Sequence, residues 1–394
     1  MSNDKIAEAQ AHLQRYDFDG WLLYDFQGSN TLARAFLNIS SDLLITRRYA
    51  YWIPARGEPI KLVHKIEPHV LDHLPGQILT YLTWEEFESC FAQLLKGSQR
   101  VALEFSPRGS LPYVSKVDGG ILDLIRSCHV EVVSSASFLQ YFTCVLDDEQ
   151  VASHLEAAHF LSQLADSAWE KIAGSLRSNQ RIDEYSVVKF MREEMRSHGF
   201  ITEADPICAV NAHSANPHFA PTPQQSEAIK KGDFVLIDLW CKKNAPRAVY
   251  GDITRVAFVD DRAPQRHQEI FQIVRNAQRV ATNYVIQRCA KRDYPQGGEV
   301  DQVCRQVIID AGYGEQFIHR TGHNIYTQDH GPGAHLDSLE TRDFRELIPR
   351  TCFSIEPGIY LKGEFGVRLE YDVLLVDDHT AQVTGGIQEE IVLL

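Results

Sequence analysis

Two pairs of acidic residues interrupt apolar, strand-forming runs in this chain, and the two pairs have the same spacing. Asp238 closes the run Val235-Leu236-Ile237, and Asp252 lies 14 positions on, within Val249-Tyr250-Gly251-Asp252-Ile253-Thr254. Glu356 follows Cys352-Phe353-Ser354-Ile355, and Glu370 lies 14 positions on, after Val367-Arg368-Leu369. Each pair reads as two strands joined by a turn, the second turn being rich in glycine (Gly358, Gly363, Gly366). A carboxylate inside a core strand is costly unless something cationic sits beside it. Arg368 is one partner, but a single arginine does not satisfy two such groups, whereas a divalent metal does.

Between the two acidic units lies His319-Arg320-Thr321-Gly322-His323-Asn324-Ile325-Tyr326-Thr327-Gln328-Asp329-His330, with three histidines in twelve residues. Four carboxylates and one imidazole suit an oxygen-rich site for two divalent metal ions, manganese, cobalt, iron or zinc. Bland readings exist for each residue alone: a strand-end acid for Asp238, a turn acid for Asp252, an ion pair with Arg368 or Lys362 for the glutamates, a hydrogen-bonded core histidine for His323. A metal site accounts for all five together. The histidines of HRTGH stand four apart, as on a zinc-protease helix, but Arg320 replaces the required glutamate and Thr321-Gly322 disfavours helix.

With 394 residues the chain has room for two or three domains. A net charge of -14 argues against nucleic acid as the main partner, since phosphate binding needs a basic face. No apolar run approaches transmembrane length, so no membrane role is expected, and the polar, helix-patterned N-terminus lacks the apolar core of a secretory signal. The eight cysteines form no CxxC pair and are mostly flanked by apolar residues. They read as reduced thiols of a cytoplasmic protein.

Alternating strands and helices over about the first 140 residues predict one α/β domain. The strands include Gly20 to Tyr24, Leu43 to Thr46, Tyr49 to Pro54, Ile60 to His64 and Val101 to Phe105, with a helix from Trp84 to Leu95 capped by Thr83. Asp147-Asp148-Glu149 opens a long helix to about Leu176, which sets the expected domain boundary at 146, giving domains 1–146 and 147–394. Further helices are expected over Asp183 to His198, Pro264 to Ala290 and Gly298 to Ala311, among hairpins rather than βαβ units, which makes the second half α+β. The repeated spacing hints at internal duplication, although sequence similarity between the two acidic units is slight.

The ordered set LIDLW, GDITR, HRTGHNIYTQDH, SIEPGIY and VRLE resembles the pita-bread metallopeptidase family, and within it the Xaa-Pro aminopeptidase and prolidase branch. The resemblance is strong over 150 to 394. Over 1 to 145 it rests on length, α/β pattern and position, and implies a creatinase-like α/β domain ahead of an α+β pita-bread catalytic domain. It implies that Asp238 binds one metal, that Asp252 and Glu370 bridge both, and that His323 and Glu356 bind the other. Glu356 would also carry the proton from water to the leaving nitrogen. His218, His319 and His330 match the family's histidines that do not bind metal, with His218 and His330 contacting substrate. Arg368 would orient Glu370 or meet a substrate carboxylate. The implied substrate is a peptide or dipeptide with proline in second position, and the implied assembly a homodimer or larger.

Two features depart from the family pattern. The interval between the two aspartates is about three residues longer, through Lys242 to Arg247, and Tyr326 stands where glycine is usual. The alternatives from other classes are a metal-free, creatinase-like hydrolase and a catalytically inactive module that binds peptide. The first lacks the ligand set and the second would show degenerate ligands, whereas this chain keeps all five.

Overall fold

The computed structural model describes residues 3–40 and 42–394 and divides after Thr143 into Met1–Thr143 and Cys144–Leu394. The division falls slightly before the expected 146 because of what the flanking side chains pack on. Phe138 and Leu139 are buried in the core of the first unit, whereas Leu146 is buried in a cluster of the second and its amide donates to the Arg350 carbonyl at 2.7 Å.

The first unit is α/β. Its helices are α1 (Asn3–Arg15), α2 (Thr31–Phe36), α3 (Trp84–Leu94), α4 (Gly119–Ser127) and α5 (Ala136–Thr143). Its strands are β1 (Gly20–Asp25), β2 (Tyr49–Pro54), β3 (Ile60–His64), β4 (Gln77–Tyr81), β5 (Arg100–Leu103) and β6 (Glu131–Ser134), and they form one mixed sheet in the order β4-β3-β2-β1-β5-β6. Successive side chains of a strand face opposite ways, and here both faces are covered. Trp21, Leu23, Tyr49 and Tyr51 enter one apolar cluster, and Leu22, Tyr24, Ala50 and Trp52 enter another. That double burial explains why these strands read as continuous apolar runs. The strand expected over Leu43 to Thr46 does not form. The segment is a bend and irregular chain with Leu43 and Leu44 exposed, and an apolar pair with no sheet edge beside it gains nothing from extension.

The second unit is α+β. Its helices are α6 (Asp148–Arg177), α7 (Glu184–Ser197), α8 (Gln265–Cys289) and α9 (Gly297–Asp310). Asp147 caps α6 in a reciprocal box with Gln150, the sequence signature of a helix start. Its first sheet contains β7 (Phe200–Ile201), β8 (Ile207–Val210), β9 (Phe234–Lys243) and β10 (Gly251–Phe258). The chain then forms β11 (Asn324–Ile325), β12 (Cys352–Ile355), β13 (Gly358–Leu361), β14 (Phe365–Arg368), β15 (Tyr371–Leu375), β16 (Ala381–Thr384) and β17 (Val392–Leu393). Strand β17 adds to β10, β11-β12-β15-β16 form a second sheet, and β13 pairs with β14 alone. Thus the second acidic unit is not one plain hairpin. The glycine-rich link is itself a hairpin, and Glu356 and Glu370 sit where the chain passes from it into the second sheet, between the pairs Ile355↔Tyr371 and Gly358↔Arg368. Pro357, which has no N–H to give a ladder, marks the break.

Two glycines let backbone segments touch near these passages. A Cβ on Gly322 would lie 2.0 Å from the Ser354 carbonyl oxygen, and one on Gly366 would lie 2.2 Å from the Ser214 carbonyl oxygen. The first approach lays the His323 segment along β12, where the Ser354 amide donates to the His323 carbonyl at 2.8 Å. The second docks the short 3-10 turn Asn211–Ala215 on β14, where Ser214 Oγ accepts the Gly366 amide at 2.8 Å. All eight cysteines carry free thiols. No helix among the described residues is long and apolar enough to cross a membrane.

Gly322→Ala is therefore expected to cost about 1–3 kcal/mol of stability and to weaken metal binding by moving His323. Thermal unfolding and metal titration of the variant check both, and wild-type behaviour in both would show that the contact yields easily.

Candidate metal centre

Register brings the first acidic pair together. Asp238 on β9 stands directly opposite Thr254 on β10, and Asp252 lies two residues before Thr254, hence on the same face. The Thr254 hydroxyl reaches both acidic units: it is 2.9 Å from Asp238 Oδ1 and 2.7 Å from Glu370 Oε2. Its single hydrogen serves one of them at a time. Across the site, His323 Nε2 lies 3.4 Å from Glu356 Oε1 and 3.7 Å from Asp252 Oδ2. Asp252, His323 and Glu370 each offer a ligand atom within 4.8 Å of the others, and all three residues are buried. The five residues expected as metal ligands thus converge from β9, β10, the segment before β11 and the two passages beside the β13–β14 hairpin.

The site holds more negative charge than its surroundings answer. Burial and the neighbouring Glu370 push the Asp252 carboxyl well above its usual range, and burial and Glu356 do the same to Glu370. Burial raises Glu356 to about 7, against the pull of Arg368. Asp252 Oδ1 and Glu370 Oε1 are buried with no hydrogen-bond partner among the described residues. Buried oxygens of this kind are normally paired, so the donor set fits divalent cations: oxygen-rich, one imidazole, two oxygens unclaimed. Burial also holds His323 well below the ordinary imidazole value, in the neutral form that ligates metal.

Arg368 meets Glu370 through Thr254 rather than directly. Its Nη2 pairs with Asp238 Oδ2, its Nε donates to Thr254 Oγ1 at 3.0 Å, and its Nη1 donates to the Tyr360 hydroxyl at 3.1 Å. The Arg368 side chain is buried, and its Nε also lies 4.0 Å from Glu356 Oε2. His319 lies one step farther out. Its Nδ1 bonds the Arg320 carbonyl at 2.7 Å, which places the hydrogen there, so Nε2 accepts from the Tyr360 hydroxyl at 2.7 Å. Burial, with Arg368 nearby, lowers His319 to about 3, so it stays neutral. His330 is exposed; its ring centroid is 4.1 Å from that of His323, and its Nδ1 lies 3.2 Å from Arg320 Nη2. An arginine only donates, so His330 Nδ1 accepts and Nε2 bears the hydrogen. His218 lies on the exposed loop after the Asn211–Ala215 turn, close enough to His330 for their charges to interact.

Three groups carry parts of the site that sequence reading did not assign. Thr254 was legible as the same-face neighbour of Asp252. Asp372, two residues past Glu370, accepts the Asp252 amide at 2.9 Å and fixes that residue from behind. Asp329, beside His330, is raised to about 7 by burial and by Asp238. Its only sequence signal was its place next to a histidine. Of the two departures, Tyr326 packs against the apolar cluster of Val249, Tyr250 and Ile325, and its carbonyl accepts the Tyr250 amide at 3.0 Å. The longer interval extends β9 as far as Lys243.

Residues 156–377 match metallopeptidase family M24. An uncharacterized peptidase of Staphylococcus saprophyticus is 30% identical over 239 residues, covering 59% of this chain and 61% of the relative. A Xaa-Pro dipeptidase of Lactobacillus delbrueckii subsp. lactis is 32% identical over 183 residues, covering 45% of this chain and 44% of the relative. Neither alignment reaches two thirds of the relative's length. Among solved structures, the dipeptidase PepE of Mycobacterium ulcerans superposes with a TM-score of 0.67 at 22% identity, over 99% of this chain and 97% of that one.

A stability test follows from the raised carboxyls. A carboxyl whose folded pKa exceeds its unfolded one stabilises fully below the unfolded value, and that stabilisation is lost as pH rises through the folded value. For Glu356 the window runs from 4.5 to about 7. Chelated protein is expected to lose thermal stability across that window, and added Mn or Co to restore most at its upper end. A chelated protein with a flat profile, and no gain on metal addition, would remove the metal centre. Asp252→Asn and Glu370→Gln should each lose bound metal, measured by elemental analysis.

Proposed function

Since the chain belongs to metallopeptidase family M24, we propose that it hydrolyses the bond before a proline in second position, releasing the N-terminal residue as a Xaa-Pro dipeptidase or aminopeptidase. The observation that carries the hydrolase reading is the buried centre itself: Asp252, His323 and Glu370 within 4.8 Å of one another, with unpartnered oxygens on Asp252 and Glu370 among the described residues. The proline preference is supported by the relative that bears the Xaa-Pro dipeptidase name. Asp238, Asp252, His323, Glu356 and Glu370 would hold two divalent ions. When bound, such ions supply an acidified water and polarise the scissile carbonyl.

The chain's own groups do the rest. Glu356, raised to about 7 in a buried position, is suited to take a proton from the attacking water and return it to the leaving nitrogen. An Xaa-Pro bond has no N–H and leaves as a ring nitrogen that must be protonated, so this transfer matters more than contacts to an amide hydrogen. His330 presents Nε2–H and stands beside His323. In that tautomer it donates to developing negative charge on the carbonyl oxygen, with His218 across from it. Arg368 and Tyr360, through Asp238 and Thr254, orient a metal-binding carboxylate.

A paired panel tests the reading: matched Xaa-Pro and Xaa-Ala peptides with saturating Mn, Co or Zn, read by release of the first residue. The Pro series is expected to turn over and the Ala series to lag far behind. Equal rates would remove the proline preference and leave a metallopeptidase. His330→Ala and His218→Ala should keep metal and lose roughly 10²-fold in kcat; wild-type turnover in both would cancel those roles.

A further inference from the structure

A second group of metal-binding side chains lies behind Asp252. His154 on α6, Cys352 on β12 and Asp372 on β15 each offer a ligand atom within 4.8 Å of the others, and all three residues are buried. The sheet brings two of them together. Asp372 stands opposite Thr384 of β16, and Cys352 stands opposite Leu374, two residues past Asp372. Alternation therefore puts Cys352, Asp372 and Thr384 on one face. The His154 ring lies against that face, with Nε2 2.8 Å from Thr384 Oγ1 and 3.4 Å from Cys352 Sγ.

The hydrogen bonds around this group leave ligand atoms open. His154 Nδ1 lies 2.7 Å from the Tyr250 carbonyl oxygen, which only accepts, so the ring hydrogen is on Nδ1 and Nε2 carries a lone pair. Burial holds His154 down to about 4, so the ring is neutral. The Thr384 hydroxyl has another acceptor, the Asp372 carbonyl oxygen 3.5 Å away, and can turn to it when Nε2 takes a cation. Asp372 Oδ2 accepts the Asp252 amide, whereas Asp372 Oδ1 is buried with no hydrogen-bond partner among the described residues. A buried carboxylate oxygen left without a donor calls for a cation.

The donor types and the spacing select the ion. Tetrahedral zinc binds sulfur at about 2.3 Å and imidazole nitrogen at about 2.0 Å, which sets those two atoms about 3.6 Å apart. Cys352 Sγ and His154 Nε2 are 3.4 Å apart. One thiolate, one imidazole and one carboxylate form a zinc set, unlike the oxygen-rich set around Asp252. A hydrogen bond from the far ring nitrogen to a backbone carbonyl is also how metal-binding histidines are usually held.

We propose that His154, Cys352 and Asp372 form a separate, closed zinc site, with the Thr384 hydroxyl lining the fourth position. The ion is structural. His154 holds the Tyr250 carbonyl and Asp372 the Asp252 amide, so zinc between them braces the start of β10. As zinc binds, the Cys352 thiol gives its proton to solvent and its sulfur lone pair to the metal. Because the site is closed, the ion is acquired as the chain folds. None of this depends on the peptidase reading.

The test is to produce the full chain in medium supplemented with cobalt, dialyse it and record its absorption and metal content. Cobalt bound to thiolate gives an intense charge-transfer absorption in the near ultraviolet, which carboxylates and imidazole alone do not. Wild type is expected to show that absorption and to hold about one equivalent beyond the pair proposed for the Asp252 centre. Cys352→Ser and His154→Gln should each lose about that one equivalent, and Cys352→Ser the absorption with it. Glu370→Gln should keep the absorption while losing metal from the Asp252 centre, so failure of that centre and failure of the zinc site read differently. Cobalt-bound wild type without the absorption overturns the site, as does absorption that survives in Cys352→Ser. Should both variants fail to fold, X-ray absorption at the zinc edge of wild type decides. A sulfur about 2.3 Å from zinc supports the site, and a shell of nitrogen and oxygen alone overturns it.

Discussion

The Thr254 hydroxyl stands between Asp238 and Glu370 and has one hydrogen for two carboxylates. That shortage sets the terms for everything built around it. Arg368 supplies one charge, closest to Asp238 and 4.0 Å from Glu356, while burial raises the carboxyls of Glu356, Asp252 and Glu370. Burying an unpaired carboxylate costs several kcal/mol even after relaxation. A fold that concentrates four carboxylates around a single arginine on one site is explained by a cation the site is shaped to receive, and is otherwise strained by its own charge.

Holding such a site in shape falls to side chains as much as to sheet ladders. Between α9 and β12 the chain has little regular structure, yet it carries His319, His323, Asp329 and His330. Buried Asp301 on α9 pins it: one carboxylate oxygen accepts the amide and hydroxyl of Thr321 at 3.0 and 2.6 Å, and the other accepts the Ser338 amide at 3.0 Å. Arg305, one turn along, pairs with Asp301 and donates to the carbonyls of Phe317 and His319. Asp343 and Arg345 close a second buried network on the carbonyls of Pro332 and Gly333. Fully satisfied polar networks of this kind substitute for a ladder where a loop must be rigid.

The converging residues were legible because carboxylates in apolar strands are rare enough to demand a reason, and four of them in order with a histidine demand one reason. The helices of the second unit were legible through caps and periodicity, with Asp147 and Asp183 each bonding an amide of its first turn. Less visible was whatever depended on partners distant in the chain. Arg368 stands two residues from Glu370 yet turns to Asp238, 130 positions away, because Pro357 breaks the ladder and the β13–β14 hairpin leaves the second sheet. Leu43 to Thr46 had strand composition but no neighbouring strand to receive it. Asp372 looked like an ordinary alternating residue until the fold placed it behind Asp252.

By itself the sequence determined which residue types gather and in what order. The cost of burying charge is a property of the side chain, and the alternation of a strand decides which of its neighbours share a face. Tertiary structure alone decided the assignments within that set: that Thr254 joins the two acidic units, that Arg368 answers Asp238, and that Arg320 fixes the hydrogen of His330 on Nε2. Hydrogen bonds and ion pairs act over about 3 to 4 Å, and no spacing along a chain says which of several nearby donors will come within that reach.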